Sequence, residues 1–227
     1  MNIDILPDAA AVARKAAEMI AGDARAAVAA RGKFLIAVSG GHTPWIMLKE
    51  LAAMGLPWEA IHIAQVDERV APAGDNDRNL THLKESLLDR VPILPEHVHA
   101  MPVEVPDLEA GVKQYAATLQ AVAGSPPIFD LIHLGMGPDG HTASLVPGEA
   151  VLNVMDGDVG MTGFYQKRRR MTLTYPMINR ARKILWLITG AEKVPMFRRL
   201  KMADSTIPAG RVRQEAAIVL ADKAAAG

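Results

Sequence analysis

The sequence has no cysteine in 227 residues, which excludes a disulfide framework, thiolate-bound zinc, iron–sulfur clusters and a cysteine nucleophile. A reducing compartment fits that composition. Net charge is also missing. The 25 Lys and Arg residues balance the 25 Asp and Glu residues, so no global field draws nucleic acid, an anionic membrane or a polycationic partner. A charged ligand must therefore be held locally. Aromatic residues make up only 4% of the chain, too few for a platform that stacks bases. No apolar run approaches the roughly 18 residues needed to cross a bilayer, and Asp4 and Asp8 stand where an export signal would carry positive charge. The expected partner is a small molecule, with neither nucleic acid nor membrane involved.

What is present is a regular alternation of apolar runs and helical patterns, long enough for one sizeable α/β domain or two small ones and read here as one domain over residues 1–227. A short strand is expected at Ile3–Leu6, followed by an alanine-rich helix from about Asp8 to Arg31 with Val12, Ala16, Met19, Ile20 and Val28 at helical spacing. The strand Phe34–Val38 runs into Ser39-Gly40-Gly41, and a helix then opens with Thr43 as its cap and Pro44 as its first residue. Ile61–Val66 empties into Asp67-Glu68-Arg69, and Ile128–Leu134 into Gly135-Met136-Gly137. Further strands are expected at Met171–Thr174, Ile184–Thr189 and Ala216–Leu220, with a helix from about Glu192 to Met202. The glycine-bearing stretch 146–167 reads as a loop near the site. Strands alternating with helices imply an α/β fold: a mostly parallel, Rossmann-like sheet flanked by helices on both faces. In such sheets ligands sit beyond the carboxyl ends of the strands, where the polar segments fall.

Ser39-Gly-Gly-His-Thr-Pro44, between a strand and a helix, offers backbone N–H groups and a positive helix end to a phosphate, though the same residues also suit an ordinary capped turn. It is not a Walker loop, and Ala37 replaces the first glycine of a hydrolase nucleophile elbow at Ser39. Gly135-Met-Gly-Pro-Asp-Gly140 matches a dinucleotide fingerprint. It lies in the second half of the chain, however, and no clear strand ends in an acidic residue about 20 positions on. Instead, Asp139-Gly140-His141 sets an imidazole beside a carboxylate in a glycine-rich turn read as the mouth of a helix. Asp67 and Arg69 could orient water and an oxyanion, or form a surface ion pair. Asp75 to Asn79 reads as a polar wall or a helix cap, and Lys167 to Arg170 as a solvated basic face from which one member reaches a phosphate, as Lys193 also could. The remaining histidines show no metal-ligand spacing with acidic partners, so no metal is expected.

Taken in order, Val38-Ser-Gly-Gly-His-Thr-Pro44, Val66-Asp-Glu-Arg-Val70, Phe129 to Gly148 with its Gly-Met-Gly-Pro-Asp-Gly-His-Thr-Ala-Ser-Leu block, Arg170-Met-Thr-Leu-Thr174 and Leu187 to Lys193 resemble the 6-phosphogluconolactonases over most of the chain. The resemblance implies the fold shared with glucosamine-6-phosphate deaminases and ribose-5-phosphate isomerases. It implies a cytoplasmic, cofactor-free enzyme of the pentose phosphate pathway, monomeric or a small homo-oligomer, that hydrolyses a phosphorylated sugar lactone. Carried over by position, His141 becomes the general base, with Asp67 and Arg69 as supporting acid and oxyanion-stabilising arginine. Gly40, Gly41, Thr43, Arg170 and Lys193 become phosphate contacts, and Gly137, Asp139 and Gly140 form the site loop. Val146 stands where phenylalanine is usual and Arg78 where a small residue is usual. The related deaminases carry glutamate at the place of Val146 and tyrosine at that of Arg69, which favours the lactonase. A sugar-phosphate sensor would want a DNA-binding module for which 227 residues leave no room.

Overall fold

The computed structural model describes residues 1–227. In chain order it contains β1 (Asn2–Leu6), α1 (Ala9–Arg31), β2 (Phe34–Val38), α2 (His42–Ala52), β3 (Ile61–Gln65), β4 (Asp67–Arg69), α3 (Asn79–Ser86), β5 (Val98–His99), α4 (Leu108–Ala123) and β6 (Leu131–Gly135). There follow β7 (Val159–Met161), β8 (Arg170–Leu173), α5 (Tyr175–Asn179), β9 (Lys183–Ile188), α6 (Val194–Lys201), β10 (Ala217–Asp222) and α7 (Lys223–Ala226).

Seven strands form one all-parallel sheet in the order β1-β10-β9-β6-β2-β3-β5. Its inner strands are largely apolar, β2 from end to end, because both faces are covered, as parallel sheets require. Alternate residues divide cleanly between two cores. Phe34, Ile36 and Val38 of β2 join Leu185 and Leu187 of β9 under α1, α2 and α3. Leu35 and Ala37 join Ile184, Trp186 and Ile188 on the opposite face, with side chains of α4, α5, α6 and α7. The buried stripe of α1, with Ala13, Ala16, Ala17, Ala21, Ala24 and Ala27 beside Val12 and Ile20, is mostly alanine. Such small side chains let a 23-residue helix lie close to its neighbours.

The strand order reverses direction between β2 and β6. From β2 the chain builds outward to β3 and β5; from β6 it builds the other way to β9 and β10. The loops that leave neighbouring β2 and β6 therefore splay onto opposite faces and open a crevice at their carboxyl ends.

A second, antiparallel sheet of order β4-β8-β7 stands over that crevice. The run expected as one strand through Val66 is in fact broken there. The Val66 N–H donates to the Val38 carbonyl in the main sheet at 3.0 Å, while its own carbonyl accepts from the Leu173 N–H in the small one at 2.8 Å. One residue thus hands the chain from sheet to sheet. Likewise the expected strand at Met171–Thr174 is β8 of the small sheet, and the stretch 146–167 contains β7.

β4 is held from below by Glu68, which is completely buried. Its carboxylate accepts from the backbone N–H of Arg69, Asn79 and Leu80 and from the Gln65 side-chain amide, all within 2.8 Å. Arg78, itself 3% exposed, brings Nε to 3.1 Å from Glu68 Oε2. That contact pairs the charges without the alignment of a hydrogen bond, and the guanidinium donates instead to the Ala71 carbonyl and to Glu104. Breaking a buried pair strands the surviving charge. Glu68→Ala should therefore destabilise the protein by about 3–5 kcal/mol, read as a lowered midpoint in urea denaturation.

Candidate active site

Three segments converge at the crevice. After β2, the Ser39 N–H donates to His133 Nδ1 at 3.2 Å and its hydroxyl to the His133 carbonyl at 3.0 Å, which ties the ends of β2 and β6 together. Gly41, at φ 129°, turns the chain in a backbone region that favours glycine and occupies the N-cap of α2 with no side-chain bond. Because the turn is made there, α2 starts at His42. Thr43, expected as the cap, instead lies inside the first turn, where its hydroxyl pairs with that of Thr189 at 2.7 Å. The first-turn N–H groups thus receive no side-chain cap, a ready site for an anion. Lys193, on the turn after β9, stands at the same cavity with its ammonium 3.6 Å from Glu192.

The second segment follows β6. The Gly137 N–H donates to the His141 carbonyl at 2.8 Å, and the Gly140 N–H to the Gly137 carbonyl at 3.0 Å, folding His141 back over Gly137. A Cβ at residue 137 would collide with the His141 imidazole. Asp139 Oδ1 accepts from the His141 backbone N–H at 3.1 Å and lies 2.6 Å from Nδ1 of its ring. The expected helix does not follow. The Thr142 hydroxyl donates to the Gly135 carbonyl, Ala143 takes φ 52°, and the chain turns at Leu145 before Pro147. Asp139 and Tyr165, not a helix dipole, therefore set the surroundings of His141.

Burial pushes the Asp139 carboxyl up, but the backbone N–H and imidazole of His141 and the Tyr165 hydroxyl outweigh it and hold the carboxyl below the usual range. The protons are assigned from these partners. A carboxylate at Nδ1 places the proton there and leaves the Nε2 lone pair free.

The third segment is the small sheet. Asp67, buried at the end of the run from β3, accepts from the Ser144 hydroxyl at 2.6 Å, and Asn79 donates to its carbonyl at 2.9 Å. Arg69 and Arg170 are register partners across β4 and β8. Arg69 donates to the Asp77 carbonyl and Arg170 to Gln166 Oε1, and each keeps a buried Nε with no partner. Burial, with the charge of Arg69 beside it, lowers the Arg170 pKa, yet a guanidinium stays charged in proteins.

These segments enclose a cavity of about 320 Å³. His141, Asp67, Arg69, Gly40, Gly41, Thr43, Arg170, Lys193 and Gly137 all line it, while Asp139 and Gly140 stand behind the wall. Asn79 is part of the wall. Asp75 and Asp77 are neither wall nor cap, for they bind Arg168 of the basic run. Sequence reasoning places Ser144 beside His141 but gives no partner to it, to Thr189 or to Tyr165, because those partners lie far away along the chain. Of the other histidines, His42 lines the cavity at the start of α2, and the remaining five stay outside it. His62, His97 and His99 gather where β3 meets β5, with His62 Nδ1 3.2 Å from His99 Nε2; burial pushes the His62 pKa down to about 4. No helix is long and apolar enough to cross a membrane.

The family model for glucosamine-6-phosphate isomerases/6-phosphogluconolactonase matches residues 7–220. The chain belongs to this family. Within it, the chain is 42% identical over 171 residues to the 6-phosphogluconolactonase of Synechocystis, covering 74% of this chain and 71% of that one. The crystal structure of the Thermotoga maritima 6-phosphogluconolactonase superimposes with a TM-score of 0.87 at 28% identity, over 97% of this chain and 98% of that one. A monomeric glucosamine-6-phosphate deaminase has the same fold, with a TM-score of 0.85 at 18% identity over 100% of this chain and 99% of that one.

For this family member the hydrogen bonds assign opposite tautomers to two histidines. His141 carries its proton on Nδ1. His133 accepts from Ser39 at Nδ1 and so carries its proton on Nε2, and burial pushes its pKa down to about 3. Long-range 1H–15N correlation of histidine-labelled protein at neutral pH should show the two patterns reversed, and Gly137→Ala should abolish the one assigned to His141.

Proposed function

We propose that the chain hydrolyses 6-phospho-D-glucono-1,5-lactone to 6-phospho-D-gluconate, as a cytoplasmic enzyme of the pentose phosphate pathway working as one lactonase domain. The observation that carries this reading is one small cavity bordered both by a carboxylate-oriented imidazole, His141 with Asp139 at 2.6 Å, and by an uncapped helix start flanked by cations. The first can move a proton; the second can hold a dianionic phosphate.

A δ-lactone is an activated ester, so the protein has only to position water, take a proton and hold charge. Nε2 of His141 takes a proton from water as its oxygen bonds to C1. The carbonyl oxygen becomes an oxyanion facing the guanidinium of Arg69, which lines the cavity. When the tetrahedral adduct collapses, the bond from C1 to the ring oxygen breaks and His141 returns the proton to that oxygen. Asp139 keeps the ring oriented and stabilises the transient imidazolium. Asp67, pinned by Ser144, orients the water. Gly40, Gly41 and Thr43 grip the phosphate through the start of α2, with Arg170 and Lys193 adding charge, so that phosphorylated lactones are selected. Every group named comes from one chain. The deaminase reading lacks a carboxylate at Val146, which is buried and apolar.

His141→Ala should lower kcat for lactone hydrolysis, corrected for the spontaneous rate, by roughly 100-fold or more, while far-ultraviolet circular dichroism stays unchanged. A variant with wild-type turnover would remove His141 from the reaction. Arg170→Ala should mainly raise KM, by about ten-fold; an unchanged KM would remove Arg170 from the phosphate site.

A further inference from the structure

Between β7 and β8 the chain makes a two-residue reversal at Gln166 and Lys167, both at positive φ (50° and 67°). Tyr165 and Arg168 bridge across it, with N–H to carbonyl distances of 3.0 and 3.2 Å. This is the primed turn of a tight hairpin. Its outer strand is anchored to another part of the molecule, because the Arg168 guanidinium binds Asp75 and Asp77 at 2.9–3.1 Å. So fixed, the hairpin sends its two adjacent aromatics in opposite directions. Phe164 is 77% exposed, whereas Tyr165 turns inward. The Tyr165 hydroxyl lies 3.1 Å from Asp139 Oδ2 and 3.5 Å from His141 Nδ1. Its ring meets that of His141 edge-on at 5.6 Å and carries the Arg170 guanidinium over its face, 4.9 Å from the centroid.

We propose that Tyr165 is a positioning residue that couples the proton-transfer pair to the phosphate-binding arginine. The hydroxyl occupies the carboxylate oxygen that His141 does not use, so Asp139 is left with Oδ1 directed at Nδ1. The ring face fixes where the Arg170 guanidinium stands. One side chain thus sets the alignment of the base and of the cation meant for the far end of the substrate. Nδ1 already donates to Asp139, so the phenol, which burial and the Asp139 charge keep protonated, acts on the base only through the carboxylate. The inference rests on the lactonase reading and deepens it. Asp139 and Tyr165 meet His141 from behind the cavity wall; the ionisable groups that line the cavity with it are Arg170, Asp67, Arg69, His42, Glu192 and Lys193, and none of these contacts its ring nitrogens by hydrogen bond.

Tyr165→Phe keeps the ring over Arg170 and removes only the hydroxyl. In that variant kcat should fall about three- to ten-fold with KM nearly unchanged. The Asp139 carboxylate, relieved of one donor, should stabilise imidazolium more strongly. The acid limb of the kcat/KM profile should therefore move to higher pH, by about half a unit. Tyr165→Leu removes the ring as well and should raise KM several-fold on top of the loss in kcat, with thermal midpoints confirming that both variants fold. A Tyr165→Phe enzyme with the kcat and pH profile of wild type overturns the proposal, even if Tyr165→Leu is inactive. Wild-type protein that fails to accelerate lactone hydrolysis overturns the lactonase reading instead, so the two failures are told apart in one experiment.

Discussion

The Glu68 carboxylate is the point on which the site's geometry depends. A fully buried anion costs several kcal/mol of lost hydration unless every lone pair is used, and here the chain surrounds it with backbone donors from two elements, a side-chain amide and a buried guanidinium. Because those donors belong to Arg69, Asn79 and Leu80, satisfying the carboxylate fixes the end of β4 against the start of α3. The residues on either side of Glu68 inherit that rigidity. Asp67 and Arg69 both reach the cavity, and Asn79 joins them in its wall, bonded to the Asp67 carbonyl. The arginine at position 78 extends the arrangement, since it brings a buried positive charge of its own to the same anion.

Around this anchor a chain of zero net charge assembles a locally cationic crevice. Three cations of the lining, Arg69, Arg170 and Lys193, stand against two carboxylates, Asp67 and Glu192. Asp67 is already engaged by Ser144. Such a local excess acts on a small anion that enters the crevice, while a long polyanion meets a chain of zero net charge. The switch between β2 and β6 places the crevice. The small sheet then sets two guanidinium groups beside the imidazole, which the main sheet alone could not do.

Much of this was legible in the residues. Strands covered on both faces are mostly apolar, so Phe34–Val38 and Ile184–Ile188 announce themselves. His141 stands out because glycines and an aspartate surround it in a strand-to-turn segment. What stayed hidden depends on partners distant in sequence. Thr43 resembles a cap, but Gly41 makes the turn and frees the hydroxyl for Thr189. The residues after His141 look like a helix start, yet Thr142 and Ser144 spend their hydroxyls on Gly135 and Asp67, and Pro147 with Gly148 stops regular structure. β7 is three residues with a central glycine, too short for any period to show. Tyr165 had no local signal at all, since its role exists only once the hairpin folds toward Asp139.

The position of β1 bears on how the molecule is made. β1 sits at the edge of the sheet and pairs only with β10, in register from Asn2 with Ile218 to Leu6 with Asp222. During synthesis this segment leaves the ribosome well before β10 and finds no partner in the sheet until β10 has followed. Its apolar residues, Ile3 and Ile5, are exposed even in the finished fold. The closing of the sheet is thus a late event of high sequence separation, the kind of contact that slows folding. Until it occurs, the nascent protein carries both an unpaired strand and the bare flank of β10, two edges that another chain could capture.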